Sequence, residues 1–207
     1  DLHAAQAPHA SDGAYVYAGT CRDLSKSERE ELSKHKIPAT RIRVANKTYA
    51  FEDKVYGQTS QSLAESCGDF IVQRADGVFA YQLAVVVDDA DMGVTEVVRG
   101  SDLLSSTPRQ LYLQDVLGLS HPIYAHLPLL VAPDGRRLSK RNHDLDLGVL
   151  RDQGKTPEEI LGFLAYCIGL AEKEEPLSAA QVANRFSWDV LRAHRKNVVV
   201  EHFSHVL

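Results

Sequence analysis

The stretch GDFIVQRADGVFAYQLAVVVDD, residues 68–89, constrains the fold more than any other part of the chain. Two β-rich runs flank Asp76-Gly77, a dipeptide suited to the left-handed backbone of a tight hairpin turn. The second run is apolar at nearly every position from Phe79 to Val87. This pattern predicts a strand buried on both faces, as in a parallel or mixed sheet covered by helices. VTEVVRG, residues 94–100, predicts a further strand, and PIYAHLPLLVAPDG predicts another that closes on an Asp134-Gly135 turn. Between them, SSTPRQLYLQDVLGL predicts a helix with Thr107 as N-cap, Pro108 in the first helical position and Gly118 as its stop. Strand, strand, helix, strand is an α/β arrangement.

The flanks carry their own signals. SKSEREELSKHK predicts a short charged helix in which Ser27 and Glu30 form a capping box, with Pro38 beyond its end. ATRIRV and KTYAFED alternate apolar and polar residues and predict two short, half-buried strands. Downstream, Thr156 and Glu159 form a second capping box with Pro157 between them. Ile160, Phe163, Leu164, Cys167 and Ile168 follow on one helical face, and Gly169 closes the helix. Cys167 on that face reads as a small core residue. Ser178 with Gln181, and the segment Ser187 to His194, predict two more helices.

Composition narrows the class. With 207 residues, 44% hydrophobic and 25% charged, the chain is globular and makes one large or two small domains. An apolar stretch such as Leu83 to Val87 is far short of the ~20 residues of a membrane span. A net charge of −5 gives no overall attraction to nucleic acid, although a local basic face stays open. The three cysteines, Cys21, Cys67 and Cys167, are odd in number and scattered, which is not a disulfide framework. A reducing, cytoplasmic setting is therefore expected, and the first 20 residues lack a basic start followed by an apolar block.

No GxGxxG, Walker A, HExxH or GxSxG motif occurs. Four constellations could carry chemistry. Arg137-Leu138-Ser139-Lys140-Arg141 places three cations and a hydroxyl after a turn. Such a loop either neutralises a polyphosphate and stabilises a leaving pyrophosphate, or is a solvated basic turn. Asp88, Asp89 and Asp91 follow the expected buried strand, where α/β folds place ligand groups for metal, ribose or amine. The plainer reading is a polar strand exit. Arg99, before Gly100, can grip a carboxylate with two parallel hydrogen bonds, or lie on the surface. Tyr17 and Cys21, in YAGTC, could be half of a tetrahedral zinc site, with His3 and His9 as conceivable partners.

Taken together, DGVFAYQLAVVVDDADMGVTEVVRGSDLLSSTPRQLYLQDVLGL and HLPLLVAPDGRRLSKRNHD resemble the glutamyl-queuosine tRNA(Asp) synthetases, short paralogues of bacterial glutamyl-tRNA synthetase. The likeness runs through most of residues 15–170, and RLSKR is similar to the KMSKS-type signature of class I aminoacyl-tRNA synthetases. The resemblance implies an α/β fold: a partial class I synthetase Rossmann-like catalytic domain with an inserted α+β segment and a helical C-terminal part. Residues 1–66 would be the inserted zinc and acceptor-end segment, 67–135 the second half of the Rossmann-like domain, and 136–207 the KMSKS-type loop with a helical, stem-contacting region.

It also implies roles for particular residues. Tyr81 and Arg99 match glutamate contacts. Lys140 matches the catalytic lysine that binds ATP, with Arg137, Leu138, Ser139 and Arg141 beside it. Tyr17 and Cys21 match two of four zinc ligands. The implied substrates are glutamate, ATP with magnesium, and tRNA(Asp) bearing queuosine, and a monomer acting without a membrane is expected.

The implied reaction is formation of glutamyl-adenylate followed by transfer of glutamate to the queuosine base. FAYQLAVVVDD and Asn142-His143 favour this branch over glutamyl-tRNA synthetases that charge tRNA(Glu). A piece of such a synthetase, or a non-catalytic tRNA-binding remnant using Arg41, Arg43 and Lys47 on phosphates, are the alternatives. The chain starts at Asp1 without an initiator Met, and nothing before Tyr17 resembles a first Rossmann strand, a HIGH-type motif or a Cys-x-Cys pair. The expectation is that it lacks an N-terminal part.

Overall fold

The computed structural model describes residues 16–138 and 147–200. They fall into two compact units: one ends at residue 53 and resumes over 57–124, and the other holds 54–56 and the chain from 125 onward.

The first unit opens with α1 (Lys26–His35). Its capping box is Ser25 with Glu28, not Ser27 with Glu30. Both pairs fit the Ser-x-x-Glu pattern, and Ser25 is the one whose extended backbone (φ −62°, ψ 164°) lets its hydroxyl accept from the Glu28 N–H. None of the helix's residues is buried. The two expected strands follow as β1 (Thr40–Ile42) and β2 (Thr48–Asp53). β2 pairs antiparallel with β3 (Gly57–Ser62), and a single turn, α2 (Leu63–Ser66), leads to β4 (Phe70–Gln73), which pairs antiparallel with β1.

The Asp76-Gly77 turn forms as expected, with Gly77 at φ +85° and Gln73 bridging to Phe79. The second strand does not form. The chain pairs only as far as Ala80, whose N–H donates to Val72 O, and then coils into α3 (Tyr81–Asp91). Gln82 and Val86, four apart, are the buried pair, while Val87 points outward. That is the period of a helix, and a buried glutamine breaks the apolar stripe that would have announced it. Asp88, Asp89 and Asp91 consequently lie on the last turns of a helix and not at a strand exit.

β5 (Glu96–Gly100) runs into a 3-10 turn (Ser101–Ser106), then α4 (Thr107–Leu117) and β6 (Ile123–Leu127). The N-cap of α4 is Ser106; Thr107 is the first helical residue, one position later than its expected role, because the 3-10 turn continues straight into the helix. Gly118 stops α4 at φ +68° as expected. The strand order in the main sheet is β3-β2-β6-β5, with Asp53 opposite Tyr124 in a parallel β2–β6 pair. Tyr49, Leu63, Phe70, Val86, Leu111 and Tyr124 are among the residues that close the core of this unit.

In the second unit, the stretch expected as one strand divides into β6 and β7 (Leu130–Val131) around Pro128, which has no N–H to donate. β7 pairs in parallel with β8 (Val198–Val199). The Asp134-Gly135 turn forms, with Gly135 at φ +81°. The helices are α5 (Leu147–Asp152), α6 (Pro157–Cys167), α7 (Ala179–Arg185) and α8 (Trp188–Ala193). The expected capping boxes Thr156–Glu159 and Ser178–Gln181 are both present. Cys167 packs beside Leu150, Phe163 and Val200, and burial pushes its thiol up to about 11, with Glu174 adding to the rise. Gly162 in α6 faces the backbone of residues 175–177 so closely that a Cβ there would lie 1.8 Å from Glu175 O. No helix among the described residues is long and apolar enough to cross a membrane.

Candidate active site

β5 delivers Arg99 to the start of α4, and α3 begins beside it with Tyr81. The Arg99 guanidinium donates from Nη1 to Gln110 Oε1 at 2.8 Å. From Nη2 it donates to Thr107 Oγ1 at 2.8 Å and to Leu103 O at 3.4 Å. Its carbon lies 5.3 Å from the centroid of the Tyr124 ring, within cation–π range. The Tyr81 phenol lies close enough to the same guanidinium to interact with its charge. The two residues matched to glutamate contacts, 18 positions apart in sequence, are thus neighbours in space.

Burial lowers the pKa of Arg99, opposed by the nearby Tyr124, Tyr81 and Asp89. Burial raises the carboxyl of Asp89, opposed by Arg99 and reinforced by Asp88. The Tyr124 phenol is likewise raised by burial. The acceptors at Gln110, Thr107 and Leu103 are neutral and orient the cation, and Asp89 is the acid that interacts with its charge. A guanidinium presented in this way can take a carboxylate with two parallel hydrogen bonds.

Behind Arg99, Gln110 Nε2 donates to Gln82 Oε1 at 2.8 Å, deep in the unit. Gln114 Nε2 reaches Tyr124 Oη at 3.3 Å. Gln82, Gln110 and Tyr124 were not among the residues marked by sequence reasoning, and Thr107 was marked only as a cap. One signal was present: glutamines at 82 and 110 inside otherwise apolar segments.

The basic loop is only partly described. Arg137 is exposed and bridges back to Val131 after the Asp134-Gly135 turn, and Leu138 is partly buried against the Leu150, Phe163 and Val200 cluster. Ser139, Lys140 and Arg141 lie outside the described residues, as do Asn142, His143, His3 and His9.

Tyr17 and Cys21 come together in one turn, but by a different bond: the Cys21 N–H donates to Tyr17 Oη at 2.7 Å. The guanidinium of Arg41 covers the Tyr17 ring at 4.1 Å. Among the described residues no group of three or more His, Cys, Asp or Glu side chains is placed to hold a metal ion. A phenol and a thiol are two donors where tetrahedral zinc takes four. The described residues therefore do not by themselves make a zinc site. Both residues instead line a cavity of about 620 Å³ whose wall is rich in cations, among them Arg22, Arg29, Lys36 and Arg41. Asp69 enters it as the one acid, accepting from Val44 N at 2.8 Å and pairing with Arg22 at 3.6 Å.

A glutamyl-Q tRNA(Asp) synthetase of Nitratidesulfovibrio vulgaris is 49% identical over 168 residues, which is 80% of this chain and 52% of that protein. One of Symbiobacterium thermophilum is 45% identical over 197 residues, 94% of this chain and 60% of that protein. The chain spans about half the length of such curated relatives. Among solved structures, the glutamate-tRNA synthetase of Elizabethkingia anophelis superposes with a TM-score of 0.70 at 25% identity, covering 91% of this chain and 43% of that one. The glutamate tRNA ligase of Elizabethkingia meningosepticum shares the fold with a TM-score of 0.69. The family of class I tRNA synthetases (E and Q), catalytic domain, matches residues 3–204, and the chain belongs to that family.

Proposed function

We propose that the protein carrying this chain activates glutamate with ATP and transfers it to the queuosine base of tRNA(Asp). The observation that carries this reading is Arg99, partly buried and held by Gln110 and Thr107 beside Tyr81. Arg99 and Tyr81 select the amino acid; removing one member of such a buried ion pair costs about 3–5 kcal/mol, which sets the penalty for a side chain without the carboxylate.

One oxygen of the glutamate α-carboxylate attacks the α-phosphorus of ATP. The new P–O bond forms as the bond to the β-phosphate breaks, and magnesium pyrophosphate leaves. Lys140 stabilises the charge growing on the pyrophosphate, with Arg137, Leu138, Ser139 and Arg141 forming the ATP side of the loop. A hydroxyl of queuosine then attacks the adenylate carbonyl and AMP departs. Positioning and electrostatics do this work, and no covalent enzyme intermediate is needed.

In this reading residues 1–66 meet the RNA, 67–135 hold the amino acid and 136–207 hold ATP and the tRNA stem. The cationic wall around Arg22, Arg41 and Arg43 supports the first assignment, since phosphates are met by such groups. Zinc would use Tyr17 and Cys21 with two ligands from outside the described residues. The enzyme is read as a cytoplasmic monomer.

The test is glutamate-dependent exchange of label between pyrophosphate and ATP by the intact gene product. Exchange is expected with glutamate and not with glutamine, and no exchange by a folded protein rejects the reading. Lys140→Ala is expected to slow it by roughly 100-fold or more, the scale of one lost charge stabiliser in a transition state. Charging tRNA(Asp) but not tRNA(Glu) separates the proposal from a glutamyl-tRNA synthetase.

A further inference from the structure

Part of the face that α4 turns inward is polar, beside the buried Leu111 and Leu113. Thr107, Gln110 and Gln114 lie on it at spacings of three and four, and all three are buried. Buried polar side chains need partners, and an apolar face would pack at lower cost. The expense is visible in α3, where Gln82 Nε2 is buried with no hydrogen-bond partner among the described residues.

The contacts show what this face is for. A carboxamide has an accepting end and a donating end. Gln110 turns its oxygen to Arg99 and its nitrogen to Gln82 Oε1, each at 2.8 Å. A half-turn of the amide would set two donors against each other at the guanidinium, and Gln82, by accepting from Gln110 Nε2, holds the amide in the productive sense. Thr107 Oγ1 accepts from the other terminal nitrogen. The guanidinium plane is therefore fixed by two side chains from one helical turn, and the register of one of them is fixed from α3.

We infer that Gln110 and Thr107 are positioning residues for Arg99, and that Gln82 sets the orientation of the Gln110 amide. The inference deepens the reading of Arg99 as the carboxylate-binding group and rests on it. An acid at position 110 would hold the guanidinium as firmly and would occupy the Nη1 edge with an internal ion pair.

The experiment uses the intact protein in pyrophosphate exchange, with glutamate and ATP varied separately. Gln110→Glu is expected to raise the glutamate KM by roughly 100-fold, the scale of one displaced buried charge contact, while the ATP KM stays within about twofold. Thr107→Val is expected to raise the glutamate KM by about tenfold, one hydrogen bond to a charged group, and Thr107→Ser to restore it. A glutamate KM in Gln110→Glu within about twofold of the parent, or equal rises for both substrates, overturns the inference.

Should the parent protein not use glutamate at all, the functional reading falls, and the positioning is decided by NMR of the Arg99 Nη–Hη groups. Separate Hη signals in the parent that merge in Gln110→Leu and Gln82→Met uphold the relay. Signals that stay separate in either variant overturn it.

Discussion

The two ends of α4 each hold a charge of the sign that a helix dipole disfavours, and they deal with it in opposite ways. At the N-terminal end the cation Arg99 meets Thr107 and Gln110 of the first turn, where the dipole is positive. At the C-terminal end the anion Asp115 lies where the dipole is negative. Asp115 is compensated by its neighbours: it accepts from Tyr49 Oη at 2.7 Å, from Lys47 Nζ at 2.9 Å and lies 2.9 Å from His121 Nε2. The Tyr49 hydroxyl, then Lys47 and His121, pull its carboxyl down to about 2. Arg99 is oriented by Gln110 and Thr107, with Asp89 close enough to offset part of its burial penalty. The Asp115 cluster ties β2 to α4, and Arg99 ties β5 to the first turn of α4. In the proposed reading the Asp115 cluster serves the fold and Arg99 serves a ligand.

Substitutions can break or sharpen this contrast. The largest effect is expected from Arg99→Lys, which keeps the charge and loses the two-pronged grip. Glutamate-dependent pyrophosphate exchange should fall by roughly 100-fold or more, the scale of a lost bidentate pair. A fall of less than about tenfold would place both ends of α4 in the same structural class. Asp115→Ala should do the reverse, lowering stability by about 1 kcal/mol in a urea titration with the glutamate KM unchanged; the figure is modest because water screens this partly exposed cluster.

The third effect is one of pH. The folded-state pKa of Asp115 is depressed, so its contribution is complete above its ordinary value of 3.8 and is lost as pH falls towards about 2. The difference in urea midpoint between the parent and Asp115→Asn should therefore shrink between pH 5 and pH 2.5. A constant difference would remove the charge from the account. The smallest effect is that of salt on Lys47→Met: the variant's urea midpoint should depend less on salt than the parent's, because one exposed ion pair has been deleted.

How far this could be read from sequence follows from the kind of signal each element offers. Caps and turns were legible wherever three or four adjacent residues decide them, as at Thr156–Glu159, Ser178–Gln181, Asp134-Gly135 and Gly118. α1 shows the limit, since Ser25-Glu28 and Ser27-Glu30 fit one pattern and only the path of the chain before the helix selects between them. The failure at Phe79–Val87 is of a different order. Three consecutive valines favour a strand, and the helix they enter is secured by Gln82 reaching Gln110, a partner 28 residues away. The same distance hides the site. Arg99 and Tyr81 were marked through resemblance, but the buried amides that position the arginine become meaningful only once α3 and α4 lie against each other.

The close approach at Gly162 has a practical consequence. Any side chain at this position would have to displace the backbone at Glu175, a rigid neighbour that cannot yield as a flexible side chain would. Ala already carries the clashing Cβ, so even the smallest replacement meets the full conflict. Position 162 is thus a place where the protein could be disabled without altering a group that meets a substrate.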